Sequence, residues 1–595
     1  MRKYIFILAA AALALSSCDS MLDKTPASKL SPETYFKTAT DLQLFTNPLY
    51  NNLIPKNDYN EQSDQYIKME PSDLVKGKPR TVPASGGSWT WTDLRRINTC
   101  LDYIPKQCED EAAAVQYSAL CKFFRAYLYF DKVKKFGDVP WIDHEVGSSA
   151  DDPYLYKARD SREYVMTKMI EDLDEAIAGL PSSYGSLNYR ATKWAALALK
   201  SRVCLYEGTY RKYHTELYDQ SYEFKLPEDA KSADWYLQQA AAAAKVIMDE
   251  GPFSLYSTGN PDLDYAVLFS MYDSPTCEAI LAINFDNGIA LCHNATAVGL
   301  MNSQGRTSLT KKFVNCYLMK DGSRFTDQAG WQTMTLKDEA VDRDPRLAQT
   351  VRTPGYARLT EAGGSYSYSE TKQGVDPVVT LTGYQMAKFV MPENNLAADK
   401  FDKSYNDLMV FRLGEVYLNY AEALAELGTI TQDDLDISVN KLRARVGMPD
   451  MVVGVSADPY LRSEDFYPEV TSGIILEIRR ERAVELAQEG FRYDDLMRWK
   501  HGELLARPYL GVYLGGDGAY DIDGDGVIDY SINSSIKATV ANPTVKDGYL
   551  YPHGNIQDQF EFNPERDYLY PIPINDRTLN RNLTQNPGWD DGLDF

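Results

Sequence analysis

The strongest chemical signal in this chain is a loop of alternating carboxylates. Asp521-Ile522-Asp523-Gly524-Asp525-Gly526-Val527-Ile528-Asp529 places an acid at its first, third, fifth and ninth positions. If the chain turns at Gly526, the carboxylates of Asp521, Asp523 and Asp525 converge on one point. The Val527 carbonyl, and Asp529 directly or through water, supply further hard oxygens. Calcium takes about six to eight oxygen ligands, so the spacing suits calcium. Carboxylates this close repel one another unless a cation lies among them. The twelfth position is Ile532 rather than Glu, and no helical pattern flanks the loop. The pattern departs from an EF-hand in both respects, so a remote carboxylate or water must complete the shell. The expected role of the ion is to rigidify a surface loop.

A second pattern suits stacking rather than coordination. Gly86-Gly87-Ser88-Trp89-Thr90-Trp91 leads into a helix pattern running from Thr92 to Ile104. With one residue between them, Trp89 and Trp91 would point the same way in an extended segment. That would make a platform for the C–H face of a sugar ring. Trp331, between Gly330 and Gln332, is another candidate, and Tyr366 and Tyr368 are weaker ones. Large aromatics are often buried, so each Trp is equally a candidate for the core. The chain carries 42 Tyr and 8 Trp, and ordinary amphipathic packing must account for most of them.

Patterns for catalysis are missing from the sequence. There is no GxSxG, HExxH, Walker or GxGxxG pattern in a suitable setting, and the five histidines are scattered. Carboxylate pairs for glycoside hydrolysis decide nothing among 85 acidic residues. With no site to argue from, the chain reads as a binder and not an enzyme.

The amino terminus gives the location. Arg2 and Lys3 precede an apolar run from Tyr4 to Leu15, followed by Leu15-Ser16-Ser17-Cys18. The run is about 12 residues long, too short for a span of ~20 residues. It reads as a signal peptide ending in a lipobox, cleaved before Cys18, whose thiol is then acylated. Two or three acyl chains give stable anchoring where one does not. No other stretch is apolar enough to span a bilayer, so the membrane is met through the lipid alone.

Composition narrows the partners. The 595 residues are 44% hydrophobic, enough for a large core. The net charge of −23 argues against nucleic acid and against anionic lipid head groups. Beyond Cys18, an odd number of cysteines remains, and their spacing fits no zinc pattern. Several lie within apolar helical patterns, where a thiol acts as a small hydrophobe.

Helices must position these groups. The segment 118–136 is apolar at Leu120, Phe123, Phe124, Tyr127, Phe130 and Val133, a buried helical stripe ended by Gly137. Val165, Met169, Leu173 and Ile177 mark a helix over 161–180, ended by Pro181. An alanine-rich helix follows over 190–206, with Gly208 after it, and another over 233–249. Small residues on these faces let neighbouring helices approach closely, as in tetratricopeptide units of about 34 residues. From 252 to 404, Gly, Ser, Asn, Thr and Pro dominate and no long helical period survives. Long loops on a rigid scaffold usually carry recognition. Helices return over 408–427, 433–446 and 473–489. In the last, Arg479, Arg480, Glu481, Arg482 and Glu485 are spaced for pairing along the helix. The division is a signal peptide over 1–17, a tether over 18–30 and one domain over 31–595. Within that domain lie helical units over about 31–250 and 408–500, the insertion over 252–404, and a loop-rich part over 501–595.

Four segments, in order, resemble the SusD/RagB family of outer-membrane lipoproteins from Bacteroidetes. They are Phe123-Phe124-Arg125-Ala126-Tyr127-Leu128-Tyr129-Phe130 with Gly137-Asp138-Val139-Pro140; Arg412-Leu413-Gly414-Glu415 through Ala423; Arg479-Arg480-Glu481-Arg482 through Arg498-Trp499; and Tyr570-Pro571-Ile572-Pro573 with Asn582 to Trp589. The resemblance covers nearly the whole chain. It implies a mostly all-α fold, a tetratricopeptide-like scaffold with irregular loops forming a ligand face. It also implies a surface-facing, outer-membrane protein without enzymatic activity that closes over a SusC-like TonB-dependent barrel. Most members bind glycans and some, like RagB, bind peptides; a pure assembly module of the transporter is a third reading. A Trp near the start of the 92–104 helix occurs in glycan-binding relatives, and Asn98 matches a polar position the family often keeps.

Overall fold

The computed structural model describes residues 35–595, apart from 78–79, 148, 150–151, 187, 534 and 536–542. Cys18 and the signal segment lie outside the described residues. Helices of seven or more residues are labelled here in chain order: α1 Ala39–Leu53, α2 Thr92–Gln107, α3 Glu111–Phe136, α4 Arg162–Gly179, α5 Lys193–Tyr213, α6 Ala233–Glu250, α7 Leu413–Leu427, α8 Val439–Arg445, α9 Gly473–Glu485 and α10 Arg492–Arg498. The fold is mostly helical and of the tetratricopeptide-like kind.

Local chemistry sets these boundaries. Thr38 and Asp41 form a capping box at the start of α1. Asp110, Ser161, Ser232 and Ser472 accept backbone N–H groups at the starts of α3, α4, α6 and α9. Each such cap contributes about 1 kcal/mol. Gly137 ends α3 at φ +70°, a backbone state that costs glycine little. Packing then runs along the chain: α3 lies against α1, α2 and α4, α5 joins α4 to α6, and α7 joins α6 to α9. From α3 to α6 each helix rests mainly on its neighbours in sequence, as helical repeats do, while α7 packs back on α6 from the far side of the 252–404 insertion.

Gly208 does not stop α5, which continues to Tyr213. A Cβ at Gly208 would lie 2.8 Å from the Leu237 Cγ of α6. The glycine is there for close approach. The same seam carries buried Ala240, Ala241, Ala243 and Ala244, and the Ser201 hydroxyl donates to the Ala240 carbonyl at 3.0 Å.

Three other expectations change. Leu408–Arg412 is a strand, paired antiparallel with Ala279–Ile283, and α7 begins only at Leu413. The 433–446 segment is broken into Gln432–Asp436 and α8. In α9 the charges pair mostly across the fold: Arg482 with Asp495 at 2.9 Å, and Glu481 with Arg346 at 2.5 Å and Arg443 at 2.8 Å. Only Arg480 pairs along the helix, with Glu477 at 3.1 Å. The reason is burial on all sides, since a buried charge must find a partner on whatever element covers it.

The 252–404 region holds no helix longer than Ala295–Leu300, together with short hairpins. Gly363 and Gly364, at φ +61° and +84°, turn the hairpin of Leu359–Ala362 and Ser365–Tyr368. One apolar cluster fills the space between the helices and a second lies beneath the irregular region. Ile283 and Ile475 touch both. Cys100, Cys108, Cys121, Cys204, Cys277, Cys292 and Cys316 are free thiols. Among the described residues, no helix is long and apolar enough to cross a membrane.

Candidate functional site

The Trp89–Trp91 segment does not form the shared stacking face. Gly86, Gly87 and Ser88 all take positive φ, so the chain turns instead of extending. The two indole planes stand at 89° with centroids 5.1 Å apart. Trp89 is 6% exposed and meets Phe136 edge-on at 4.8 Å. Trp91 is half-buried against Tyr129, with the Lys132 ammonium 5.8 Å from its ring centroid. Lys132 also donates to the Ser88 carbonyl at 2.6 Å, fixing the turn to α3. Asn98 is 1% exposed and its amide is fully engaged. It donates to the carbonyls of Ile142 at 2.9 Å and His144 at 3.0 Å, and accepts from Arg125 at 3.3 Å. These contacts make Asn98 a tie between α2 and the segment after α3.

Trp331 lies differently. It starts a short 3₁₀ turn, Trp331–Thr333, after Gly330 at φ +74°. Its half-buried ring stands edge-on to Tyr460 at 5.4 Å and to Phe325 at 6.2 Å. The Tyr549 hydroxyl donates to the Gln332 carbonyl at 2.6 Å, and Tyr549 meets Tyr513 edge-on at 5.3 Å. The Gln332 carbonyl therefore ties the turn that carries half-buried Trp331 to the half-buried Tyr549–Tyr513 pair, while the rings that Trp331 itself meets are Tyr460 and Phe325. No motif in the sequence singles out Tyr513 or Tyr549. Their alternation with buried Val512 and Leu550 is the only sequence signal, and it becomes meaningful through pairing (Leu550 N–H to Val512 carbonyl, 2.9 Å).

Tyr366 and Tyr368 lie on the hairpin strand Ser365–Tyr368. The Tyr368 hydroxyl is tied to the Asp262 carbonyl at 2.8 Å.

The acidic loop is the turn of a hairpin, between the strands Gly518–Tyr520 and Tyr530–Ile532. Asp521 accepts the N–H groups of Gly524 at 2.7 Å, Asp525 at 3.2 Å and Gly526 at 2.9 Å. These amides hold its carboxyl below the usual carboxylate range. Carboxylate oxygens of Asp521, Asp523 and Asp525 lie within 4.8 Å of one another. Asp523 is only 6% exposed, and its Oδ2 accepts the Val375 N–H at 2.5 Å. Gly374 fits here because a Cβ would lie 2.6 Å from Asp525 Oδ2. Val527 has an exposed side chain, and Asp529 closes the loop by accepting the Ile522 N–H at 2.8 Å. Partial burial pushes the Asp529 carboxyl up to about 6; the Ile522 amide opposes this and the charges of Asp523, Asp525 and Asp521 reinforce it. A dense set of hard oxygens, one of them nearly buried, suits a hard divalent cation.

Residues 278–589, more than half of the chain, match the SusD family model. Residues 87–205 match a model described as starch-binding associating with outer membrane. SusD-like protein P2 of Formosa agariphila is 22% identical, across 99% of this chain and 100% of that protein. A SusD-like protein from Bacteroides fragilis, solved by crystallography, superposes with a TM-score of 0.66 at 21% identity, over 95% of this chain and 100% of the other. A SusD-like carbohydrate-binding protein from the same species superposes with a TM-score of 0.64 at 20% identity, over 93% and 100%. Those structures share the fold, and the matched sequence fixes the family: the chain belongs to the SusD family.

Proposed function

We propose that this protein is a surface lipoprotein, anchored through Cys18, that captures an oligo- or polysaccharide and delivers it to a SusC-like TonB-dependent outer-membrane transporter. The observation that carries the reading is half-buried Trp331, set on a short 3₁₀ turn and joined through the Gln332 carbonyl to the neighbouring Tyr549–Tyr513 pair. Aromatic rings with a polar rim suit sugars, which offer C–H faces to stack on and hydroxyls to bind. A relative described as carbohydrate-binding and a family model described as starch-binding support the ligand class. The second description, associating with outer membrane, supports the location. Calcium belongs to the proposal as a structural ion held by Asp521, Asp523 and Asp525, fixing the hairpin that reaches Val375.

The test is a polysaccharide affinity gel on the protein beginning after Cys18, beside Trp331→Ala. Binding to one polysaccharide class that weakens about tenfold in the variant supports the reading; tenfold is about 1.4 kcal/mol, within the range of a central aromatic contact. Equal retardation of parent and variant, or no retardation on any gel, counts against it.

A further inference from the structure

A cleft of about 510 Å³ opens between the end of α1, the middle of α3 and the Gln488–Asp494 segment, with Arg202 of α5 in its wall. Its volume lies in the range of small-molecule sites, about 300–1,000 Å³. The cleft's residues and those of the Trp331 cluster do not overlap.

The charges of this cleft are largely neutralised from within. Arg202 is bidentate to Glu415, with both contacts at 2.6 Å, and its guanidinium covers the Phe491 ring at 4.9 Å. Lys134 pairs with Asp494, and Lys135 with Asp131 at 2.8 Å. The remaining lining cation, Lys132, donates to the Ser88 carbonyl at 2.6 Å and lies 3.6 Å from Asp131, so among the described lining residues no lysine or arginine is left over to compensate a phosphate, sulfate or uronate. An anionic ligand would have to break one of these pairs and meet the Asp58 carboxylate, whose Cγ lies against Gly490.

Neutral hydrogen-bonding capacity, by contrast, is left open. Gln488 is 1% exposed, lies at φ +59°, lines the cleft, and has neither amide atom hydrogen-bonded. A buried amide without partners is costly, and native structures rarely leave one so. Of the other described lining residues, half-buried Tyr127 has a hydroxyl with no side-chain partner, and exposed Asp58 adds a charged acceptor at the rim. Half-buried Phe491 adds an apolar surface.

We infer that this cleft is a second binding site, separate from the Trp331 cluster, that takes a neutral, hydroxyl-rich ligand such as the end of an oligosaccharide. Hydroxyls both donate and accept, so a sugar in the cleft offers suitable partners to the Gln488 amide, the Tyr127 hydroxyl and the Asp58 carboxylate. A single water fills only part of such a space. The inference shares its ligand class with the proposed function but not its site.

The experiment is titration calorimetry of the mature chain with the neutral disaccharides maltose, cellobiose and gentiobiose, and with digalacturonate as the anionic counterpart. Parent protein is compared with Tyr127→Phe, with Asp58→Ala and with Trp331→Ala, each checked for an unchanged Tm. A neutral disaccharide that binds the parent and Trp331→Ala alike, and weakens at least fivefold in Tyr127→Phe or Asp58→Ala, is the expected result. If no neutral disaccharide binds, if digalacturonate binds more tightly, or if binding is lost in Trp331→Ala and kept in both cleft variants, the inference is overturned. Because the affinity gel reads the Trp331 cluster and calorimetry in Trp331→Ala reads the cleft, the failure of one is distinguishable from the failure of the other.

Discussion

Asp523 Oδ2 accepts the backbone N–H of Val375 at 2.5 Å, across 148 residues of sequence. The contact joins the tip of a surface hairpin to the irregular region. Neighbouring bonds extend the joint: the Gly374 carbonyl accepts from Arg352 at 3.2 Å, and the Tyr530 hydroxyl donates to the Thr380 carbonyl at 3.3 Å. A cation among Asp521, Asp523 and Asp525 would therefore stiffen both segments at once.

Chelation should show this. Ligand binding to the folded state alone stabilises by about 2.7 kcal/mol at a hundredfold excess over Kd. The expected outcome is that EDTA lowers the apparent Tm by a few degrees, that calcium restores it, and that Asp523→Ala responds to neither. An equal calcium response in Asp523→Ala would remove the assignment.

Calcium affinity should also depend on pH near 6. The raised carboxyl of Asp529 favours the protonated form in the metal-free fold. Its contribution to stability is full below the unfolded value of ~4 and is lost as pH rises through about 6. Calcium neutralises the neighbouring carboxylates and draws that proton off. Its apparent affinity should rise between about pH 5 and pH 7, and calorimetry in two buffers should show proton release near pH 6. In Asp529→Asn both effects should vanish.

The buried ion network should be sensitive to single removals. Arg412 meets Glu485 at 2.8 Å, Glu278 at 3.1 Å and Glu489 at 2.7 Å, and Glu485 also meets Arg445 at 2.6 Å and Arg346 at 3.0 Å. Burial alone would raise the Glu485 carboxyl, but Arg445, Arg412 and Arg346 overcome it and hold it far below the usual range. A depressed carboxyl contributes stability above the unfolded value of ~4.3 and loses it as pH falls further. Glu485→Ala leaves three guanidinium groups undercompensated and should cost about 3–5 kcal/mol, read as a lower denaturation midpoint at pH 7. The parent's advantage over the variant should shrink below about pH 4.

Much of the scaffold was legible because helix signals are local. Ser161, Ser232 and Ser472 cap helices whose apolar period is plain in the sequence. Gly208 misled because a glycine that ends a helix and one that admits a neighbour look alike until Leu237 is in view. The charges of α9 misled because pairing along a helix assumes an exposed face, and this helix is covered on all sides. The strand Leu408–Arg412 depends on a partner more than a hundred residues away, which no window of sequence contains. At the candidate sites the limit is the same. The acidic spacing gave the convergence of Asp521, Asp523 and Asp525, but not Gly374 and Val375, which face it from another segment. An extended segment would give Trp89 and Trp91 a shared face, but the positive φ at Gly86, Gly87 and Ser88 turns the chain.

The seam between α5 and α6 gives a test of the scaffold by itself. At Gly208 an added methyl would meet Leu237 Cγ at 2.8 Å and the Leu237 backbone nitrogen at 3.0 Å. The side chain can shift, but the backbone of α6 moves only if the seam opens. Gly208→Ala gains helix propensity of about 1 kcal/mol and incurs overpacking of about 1–3 kcal/mol. The net expectation is destabilisation, read as a lower apparent Tm, with Gly208→Val worse. A partial rescue by Leu237→Ala in the Gly208→Ala background would place the clash between these two residues. If Gly208→Ala is as stable as the parent, α6 has room to move away and close approach at this seam is not what keeps glycine there.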